Sequence, residues 1–281
     1  MGSQLDDVTL KIINSPKFEI ITTFLYSTGL RESSSITEGN QTPLNNCYLL
    51  DYGLHRLRAA AVDFSFAQAL SSLDCPGLLE ALASDIEKRY LEEHPQDGRR
   101  ADKNFIVRLA YGKNGEVHIM TGPRPRIPFI QYYPTTLPDP NATNIGVPVV
   151  DLFVDPGRIE PTLFTKHKTT FRDDYSDARA RVGLTPTTPF LEGEVLLVNQ
   201  RDEVLGGGFT TVYFWRNGSY VTPASSSGAK IGVSRRWALE NIDVQESVVL
   251  IRDVLEGEHV WLSSAVSGFC RGKIRFINEA M

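Results

Sequence analysis

Cysteine, methionine and tryptophan are all scarce in this sequence, with 3 of each among 281 residues. The cysteines, Cys47, Cys75 and Cys270, are widely spaced and form no CxxC pair. Such spacing argues against a disulfide framework and against a zinc site. We therefore expect three reduced, mostly buried thiols, no bound metal and a cytoplasmic location.

Long apolar runs are also missing, since no segment approaches the ~18 residues that are needed to cross a bilayer. The N-terminus is acidic where a secretory signal would be basic, and Asp6 stands where a myristoylation site requires Ser or Thr. Basic residues are in slight deficit, with a formal net charge of -5 and a pI near 5.6. These absences argue against nucleic acid and membranes as partners.

What is present is the composition of an ordinary globular protein, with 41% hydrophobic and 22% charged residues, enough to bury a core. The first part of the chain mixes strand and helix patterns. They predict a strand at 18–26, a loop at 31–46, helices at 48–66 and 77–93, and a hairpin of strands at 104–111 and 116–120. Residues 1–123 are therefore predicted to form a small α+β domain.

Five prolines fall within residues 124–140, which predicts a stiff linker. The remaining residues, 141–281, are predicted to form a larger, β-rich domain. Its patterns predict helices at 173–181 and 234–241 and strands at 194–199, 204–215, 220–221, 247–252, 259–263 and 272–277. The predicted fold class is α/β, of the α+β kind, with two domains.

Four segments carry a further signal in their order and spacing. They are LHRLRAAA at 54–61, KHKTTFRDDY at 166–175, DEVLGGGFTTVYFW at 202–215, and the stretch at 222–236 that begins with TP and contains GVSR. Together they resemble the class IV aminotransferase family, the fold type IV pyridoxal-phosphate enzymes, and especially its fungal aminodeoxychorismate lyase-like members. The resemblance implies the two-domain fold type IV architecture, a homodimer, and pyridoxal 5'-phosphate as cofactor.

Two arginines compete for the cofactor phosphate in the first segment, where the family has an HxxR pattern. If His55 is the histidine, the arginine is Arg58. The choice of Arg56 would leave Gly53 where the histidine belongs. The resemblance therefore assigns the phosphate to Arg58, and a guanidinium fork suits that role.

Two lysines compete in the second segment, which resembles the family's KxxxRxxY block with its Schiff-base lysine. Lys168 has Arg172 four residues on and Tyr175 seven residues on, as the block requires, whereas Lys166 does not. The amine must condense with an aldehyde and later move a proton, which lysine does when its pKa is depressed. The resemblance therefore implies Lys168 as the catalytic lysine.

The third and fourth segments imply the other cofactor-binding residues, which are Gly206, Thr210, Thr211, Val233 and Ser234. Ser234 would also serve as a plain helix cap. Three positions depart from the family, whose glutamate, serine and asparagine fall on Gly206, Gly208 and Thr211. The glutamate is the residue that pairs with the ring nitrogen of the cofactor. Glu203 is a poor substitute, since three residues along a strand point it to the opposite face.

The resemblance implies a pyridoxal-phosphate-dependent lyase similar to 4-amino-4-deoxychorismate lyase, which would release pyruvate and leave an aromatic amine. Two alternatives remain open: a class IV transaminase, and a cofactor-free member of the family that acts on a secondary metabolite. Gly206 motivates the last of these. In each case the partner is a small-molecule substrate, and the candidate anchors for a substrate carboxylate are Arg108, Arg124 and Arg126.

Overall fold

The computed structural model describes residues 5–32, 43–99, 102–124, 132–141 and 146–277. Contacts within the chain divide it into two compact units. The first comprises Met1–Pro125 and His167–Phe171, and the second comprises Arg126–Lys166 and Arg172–Met281. In the described ranges, no helix is both long and apolar enough to cross a membrane.

The first unit is built on a three-stranded antiparallel sheet in the order β1-β2-β3. Its elements are α1 (Asp7–Ile13), β1 (Ile20–Ser27), α2 (Leu50–Asp63), α3 (Ala67–Leu73), α4 (Leu78–Glu93), β2 (Asn104–Tyr111) and β3 (Val117–Pro123). Aromatic side chains join the sheet to α4, since Phe105 stacks on Tyr26 at 4.5 Å and on Tyr90 at 3.8 Å between ring centroids. The strands β1, β2 and β3 and the helices α2 and α4 follow the apolar spacing of the sequence.

A short segment from later in the chain, residues 167–171, belongs to this first unit. Thr169 forms an isolated antiparallel bridge with Ile20, so the segment lies alongside β1. The sequence analysis assigned these residues to the larger domain because they follow the proline-rich stretch. Their backbone pairing groups them with the first unit instead.

The second unit contains an eight-stranded sheet in the order β6-β5-β4-β11-β10-β7-β8-β9. Its elements are β4 (Val149–Val154), α5 (Leu163–Lys166), α6 (Asp173–Arg181), β5 (Glu194–Val198), β6 (Val204–Gly207), β7 (Thr211–Arg216), β8 (Ser219–Pro223), α7 (Val233–Asn241), β9 (Val244–Ser247), β10 (His259–Ser264) and β11 (Gly268–Arg275). One face of β5 joins a core with β4, β7 and β10, while Val195 and Leu197 pack with α6.

The connection between β6 and β7 shows that this sheet curls. The two strands stand first and sixth in the sheet order, yet only residues 208–210 separate them. The four residue steps from Gly207 to Thr211 span about 14 Å at most, whereas five strand spacings in a flat sheet amount to about 24 Å. The sheet therefore bends until the glycine-rich turn at 206–210 closes the gap.

One predicted strand is wrong. The sequence analysis expected a strand at 247–252, but β9 ends at Ser247 and Ile251–Asp253 form a 3-10 turn. The reason is that Leu250 pairs with Glu203 only at an isolated bridge, so no ladder continues there. Three helices, α1, α3 and α5, and the strand β4 also escaped the sequence analysis. The free cysteines are mostly buried as expected, with only Cys75 exposed.

Candidate functional site

The backbone at Lys168 is held against β1. Ile21 N donates to Lys168 O at 2.9 Å, and Thr170 N donates to Glu19 O at 3.0 Å. Residues 168–170 therefore lie against β1, held by these two hydrogen bonds around the isolated bridge at Thr169. Since the hydrogen bonds use only backbone atoms, they fix the position of Lys168 whatever its side chain does.

The residue before Lys168 anchors the same segment to α2. The ring of His167 is fully buried, and its Nε2 lies 2.7 Å from Asp63 Oδ2. The same ring packs edge-on against Phe64, with centroids 5.6 Å apart. Lys168 therefore leaves a segment that is held from both sides, by β1 and by the end of α2.

Arg108 lies on the same sheet face as Lys168. Because Thr169 bridges Ile20 in an antiparallel sense, Lys168 lies opposite Ile21. Ile21 in turn pairs with Ala110 of β2. Thr23, two residues along β1, pairs with Arg108. Directly paired residues share a face, and faces alternate along a strand, so both side chains project from one face. Arg108 Nε is buried without a hydrogen-bond partner among the described residues.

Arg56 is the buried arginine of α2. Its Nη2 donates to Thr22 Oγ1 at 2.7 Å and lies 3.4 Å from Ile21 O. Gly53 permits this approach, because a Cβ there would lie 3.0 Å from Thr22 Oγ1. The Nε of Arg56 has no hydrogen-bond partner in the described ranges, and burial lowers the pKa of Arg56 to about 10. Arg56 and Lys168 thus both contact the backbone of Ile21.

Arg58, which the sequence analysis assigned to the phosphate, points elsewhere. Its Nε donates to Asp74 Oδ1 at 2.8 Å, and its Nη2 donates to Leu73 O at the end of α3. These contacts tie α2 to α3 and occupy the guanidinium with a carboxylate. The physical reason is the helix face: Arg58 lies on the side of α2 that faces α3, away from β1. Arg56, the second choice of the sequence analysis, is therefore the better candidate for the phosphate, and this role stays a prediction.

In the second unit, three of the predicted residues meet at the start of α7. Val233 and Ser234 are the first two residues of this helix, and both are buried. Thr211 stands beside them, because a Cβ on Gly232 would lie 2.9 Å from Thr211 Oγ1. The first amide that bonds back within the helix is Arg236 N, to Gly232 O at 3.0 Å. The earlier amides are therefore available to an anion, which a helix N-terminus favours.

The glycine-rich turn has a conformation of its own. Gly206 has a φ of 129°, a region that residues with a side chain rarely adopt. A Cβ on Gly207 would lie 2.2 Å from Thr210 Oγ1, and a Cβ on Gly208 would lie 3.1 Å from Glu194 Oε1. The backbone therefore favours glycine at 206, a Cβ at 207 would displace Thr210, and a Cβ at 208 would be tight against Glu194.

Glu194 is the neighbour that fills the turn. Its carboxylate is fully buried and accepts from Val195 N at 2.9 Å, from Phe209 N at 2.9 Å and from Thr210 Oγ1 at 3.1 Å. Burial raises the pKa of Glu194, and these donors together with Arg179, whose Nη1 is 3.8 Å away, act against the rise. A carboxylate from β5 thus holds the turn that joins β6 to β7.

These contacts bear on two residues named from the sequence. The hydroxyl of Thr210 donates to Glu194, while a cofactor-binding role for Thr210 stays a prediction. Glu203 does not replace the missing glutamate, because its carboxylate accepts from Asn199 at 2.8 Å and from Arg201 at 2.7 Å. These donors lower the pKa of Glu203 to about 2. The position of Gly206 therefore has no carboxylate of its own.

Three further candidates from the sequence are Arg124, Arg126 and Lys166. Arg124 follows β3 and is partly exposed, while Arg126 lies outside the described residues. Lys166, the competing lysine, is the last residue of α5 in the second unit, and its carbonyl accepts from Ile231 N at 3.1 Å. The competing lysines therefore fall in different units.

The sequence analysis ranked Arg56 second and did not single out Glu194. Only Arg56 has a pattern in the sequence that could have pointed to it. Arg56 is three residues after Gly53 and four before Ala60, so small residues flank it on one helix face. Small residues indicate close packing, and all three are buried. Glu194 is a single acid at the start of an apolar strand, a pattern that does not show where its carboxylate bonds.

The fold and these residues define a protein of fold type IV. The backbone of one lysine lies against the small sheet of the first unit, and the first amides of α7 in the second unit have no partner within their helix. A family model described as amino-transferase class IV matches residues 36–273 of the chain. This protein therefore belongs to the class IV aminotransferase family, and it is an enzyme.

Individual relatives agree with this family. The aminodeoxychorismate lyase of Saccharomyces cerevisiae is 26% identical over 254 residues, which cover 81% of this chain and 67% of the yeast protein. A putative amino-acid aminotransferase from Mesorhizobium loti has a TM-score of 0.59 at 21% identity, covering 92% of this chain and 100% of that one. A hypothetical aminotransferase from Mycobacterium tuberculosis, with alpha-ketoglutarate and PMP bound, has a TM-score of 0.58 at 15% identity, covering 96% and 86%. The structural matches bear on the fold alone.

Proposed function

We propose that this enzyme is a pyridoxal-phosphate-dependent lyase that acts on 4-amino-4-deoxychorismate, releases pyruvate and leaves an aromatic amine. The observation that carries the proposal is the backbone at Gly206, whose φ of 129° disfavours any side chain and hence any carboxylate. A cofactor ring without that carboxylate is a weaker electron acceptor. Such a ring suits a reaction that the gain of aromaticity in the product helps to drive. The named activity of the yeast relative supports the same choice.

Pyridoxal phosphate fits the charges of the residues that we assign to it. Arg56 has a buried Nε that lacks an acceptor among the described residues, and a phosphate oxygen would supply one. The amides of Val233 and Ser234 open at the start of α7, where a phosphate is stabilised by the helix dipole. Thr211 stands beside these amides and offers a hydroxyl.

Lys168 would hold the cofactor and move the reaction's proton at its Nζ. The bound cofactor would supply an aldehyde for an amine and a ring that withdraws electrons. Arg108 lies on the same sheet face as Lys168 and would bind a carboxylate of the substrate. Arg124 is kept as a second candidate for this contact, as is Arg126, which lies outside the described residues. We also propose a cytoplasmic homodimer, as the family resemblance implies.

The proposal is tested by incubating the purified, cofactor-loaded enzyme with 4-amino-4-deoxychorismate. Pyruvate, followed with lactate dehydrogenase and NADH, should form in equal amount to the aromatic amine, with no amino acid required. An amino acid alone should convert the cofactor to its amine form only slowly. Rapid conversion would favour a transaminase, and a colourless protein without either activity would favour a cofactor-free family member.

The choice between the two arginines of α2 gives a paired prediction. Replacing Arg56 by Gln should weaken the affinity of the apo-enzyme for pyridoxal phosphate by about 10-fold or more, because a charge-assisted contact of about 1.5–3 kcal/mol is lost. The matched variant Arg58→Gln should leave the affinity unchanged, because that guanidinium bonds with Asp74 and Leu73. Absorbance titration measures both constants. The reverse ranking would return the phosphate to Arg58.

Gly206 gives a second prediction, and here the structure changes the expectation. From sequence, Gly206→Glu should raise transaminase activity by restoring the family carboxylate. The φ of 129° makes any side chain strained, by about 1–3 kcal/mol, so Gly206→Glu and Gly206→Ala should both lower the melting temperature. Neither should speed the half-reaction with an amino acid, since a strained backbone does not hold the carboxylate in place.

The control for this pair is Gly122→Ala in β3, where a Cβ would meet nothing within 4 Å. This variant should keep the melting temperature of the unaltered enzyme. The half-reactions are compared at equal cofactor occupancy. A faster half-reaction in Gly206→Glu than in Gly206→Ala would contradict the argument from strain, and would show that the missing charge alone limits transamination.

A further inference from the structure

Three buried hydroxyl groups form a hydrogen-bonded chain that ends at α7. Tyr213 Oη lies 2.7 Å from Ser263 Oγ, and Ser263 Oγ donates to Ser234 Oγ at 2.9 Å. The three side chains come from β7, β10 and α7, and all are almost fully buried. All three hydroxyls lie in the second unit, and the proposed function gives no role to Tyr213 or Ser263.

Counting the hydroxyl protons shows which of the three groups donates to which. A hydroxyl has one proton to donate, and Ser263 gives its proton to Ser234. The short contact between Tyr213 and Ser263 must therefore be donated by Tyr213. Burial raises the pKa of Tyr213, so the phenol keeps its proton at neutral pH. Ser234 accepts from Ser263, which leaves its own proton to be donated to something else.

The position of Ser234 in α7 determines which group its hydroxyl can donate to. Ser234 is the second residue of α7, next to the amides that have no partner within the helix. A hydroxyl that nothing holds can rotate about its C–O bond and point its proton away from a ligand. The bond from Ser263 opposes that rotation, because it occupies a lone pair of Ser234 Oγ from a fixed direction.

We propose that Tyr213 and Ser263 are positioning residues that fix the Ser234 hydroxyl as a donor to the phosphate monoester of the bound cofactor. The inference rests on the proposed function, which places that phosphate at the start of α7. Tyr213 and Ser263 do not contact the phosphate themselves and act on it through Ser234. Their effect should therefore appear in phosphate affinity and should depend on Ser234.

The test compares two probes that differ only in the phosphate, pyridoxal phosphate and pyridoxal, each titrated into apo-enzyme variants. Ser263→Ala should lower the affinity for pyridoxal phosphate about 5- to 20-fold, the range expected for one lost hydrogen bond to a charged group. Its affinity for pyridoxal should stay unchanged. Tyr213→Phe should act in the same direction with a smaller effect, and Ser263→Thr should restore the affinity because it keeps the hydroxyl.

Coupling to Ser234 separates positioning from a general structural role. Ser234→Ala should lower the affinity for pyridoxal phosphate at least as much as Ser263→Ala, and adding Ser263→Ala to it should cause no further loss. Thr222→Val is the matched control, because it removes a buried hydroxyl that donates to Val212 O and is not one of the three linked hydroxyls. This control should lower the melting temperature and leave the ratio of the two affinities unchanged.

The outcomes distinguish the inference from the function on which it rests. If Ser234→Ala weakens phosphate binding while Ser263→Ala and Tyr213→Phe do not, the hydroxyl chain is only structural and the inference is overturned. An unchanged ratio in Ser234→Ala itself would instead remove the phosphate from α7 and overturn that part of the proposed function. Equal losses for both probes in Ser263→Ala would also contradict positioning of the phosphate.

Discussion

Replacing Lys168 by alanine should lower the rate of pyruvate release by about 10²–10⁴-fold, the usual loss when an acid–base group is removed. The expectation follows from assigning both the hold on the cofactor and the proton transfer to Lys168 Nζ. The variant should fold, because Lys168 O still accepts from Ile21 N and the neighbouring His167 still contacts Asp63. Initial rates and the melting temperature are measured together.

Lys166→Ala is the matched control for this prediction. Lys166 lies two residues earlier, and it contributes its carbonyl to a backbone hydrogen bond with Ile231. That bond survives the substitution, so the variant should retain most of its rate. A loss in Lys166→Ala equal to that in Lys168→Ala would mean that the segment, and not the Lys168 amine, is needed. Full activity in Lys168→Ala would remove the residue from the chemistry.

The second large effect concerns stability. Glu194→Ala should destabilise the protein by about 3–5 kcal/mol, the cost of removing one member of a buried charged pair. The lost carboxylate accepts from Val195, Phe209 and Thr210. Its removal also leaves the buried guanidinium of Arg179 without its opposite charge. Denaturant unfolding, with the cofactor absent, measures the change in the free energy of unfolding.

Two companion variants sharpen this result. Glu194→Gln should cost less than Glu194→Ala, because the amide keeps the volume and one acceptor, as a protonated carboxyl would. Glu192→Ala, two residues earlier and exposed, should leave stability nearly unchanged. If Glu194→Ala unfolds at the same denaturant concentration as Glu192→Ala, the buried carboxylate does not hold the glycine-rich turn.

Regular apolar spacing predicted much of the fold. The helix α6 and the strand β2 have the residue ranges that their patterns predicted, and α4 begins one residue later. Spacing failed at 247–252, where an apolar run follows β9 but meets Glu203 at a single bridge. A strand requires a partner along its length, and the pattern of one segment does not show whether that partner is present.

The candidate site was predictable where a residue acts through its own position in the chain. The choice of Lys168 rests on its spacing to Arg172 and Tyr175 and stays a prediction, whereas ranking Arg56 above Arg58 required the faces of α2. Contacts between distant segments were not predictable. Glu194 bonds with an amide 15 residues away, and the hydroxyls of Tyr213 and Ser263 are 50 residues apart. Such pairs depend on the register and curl of the sheet.

The central claim is that the amine of Lys168 holds pyridoxal phosphate, and one measurement tests it directly. The yellow enzyme is reduced with borohydride, digested, and its peptides are mapped by mass spectrometry. We predict that the cofactor mass is found on Lys168, and that Lys166, in the same short stretch of sequence, carries none. A label on Lys166, or a protein that has neither visible absorbance nor any label, would contradict the account.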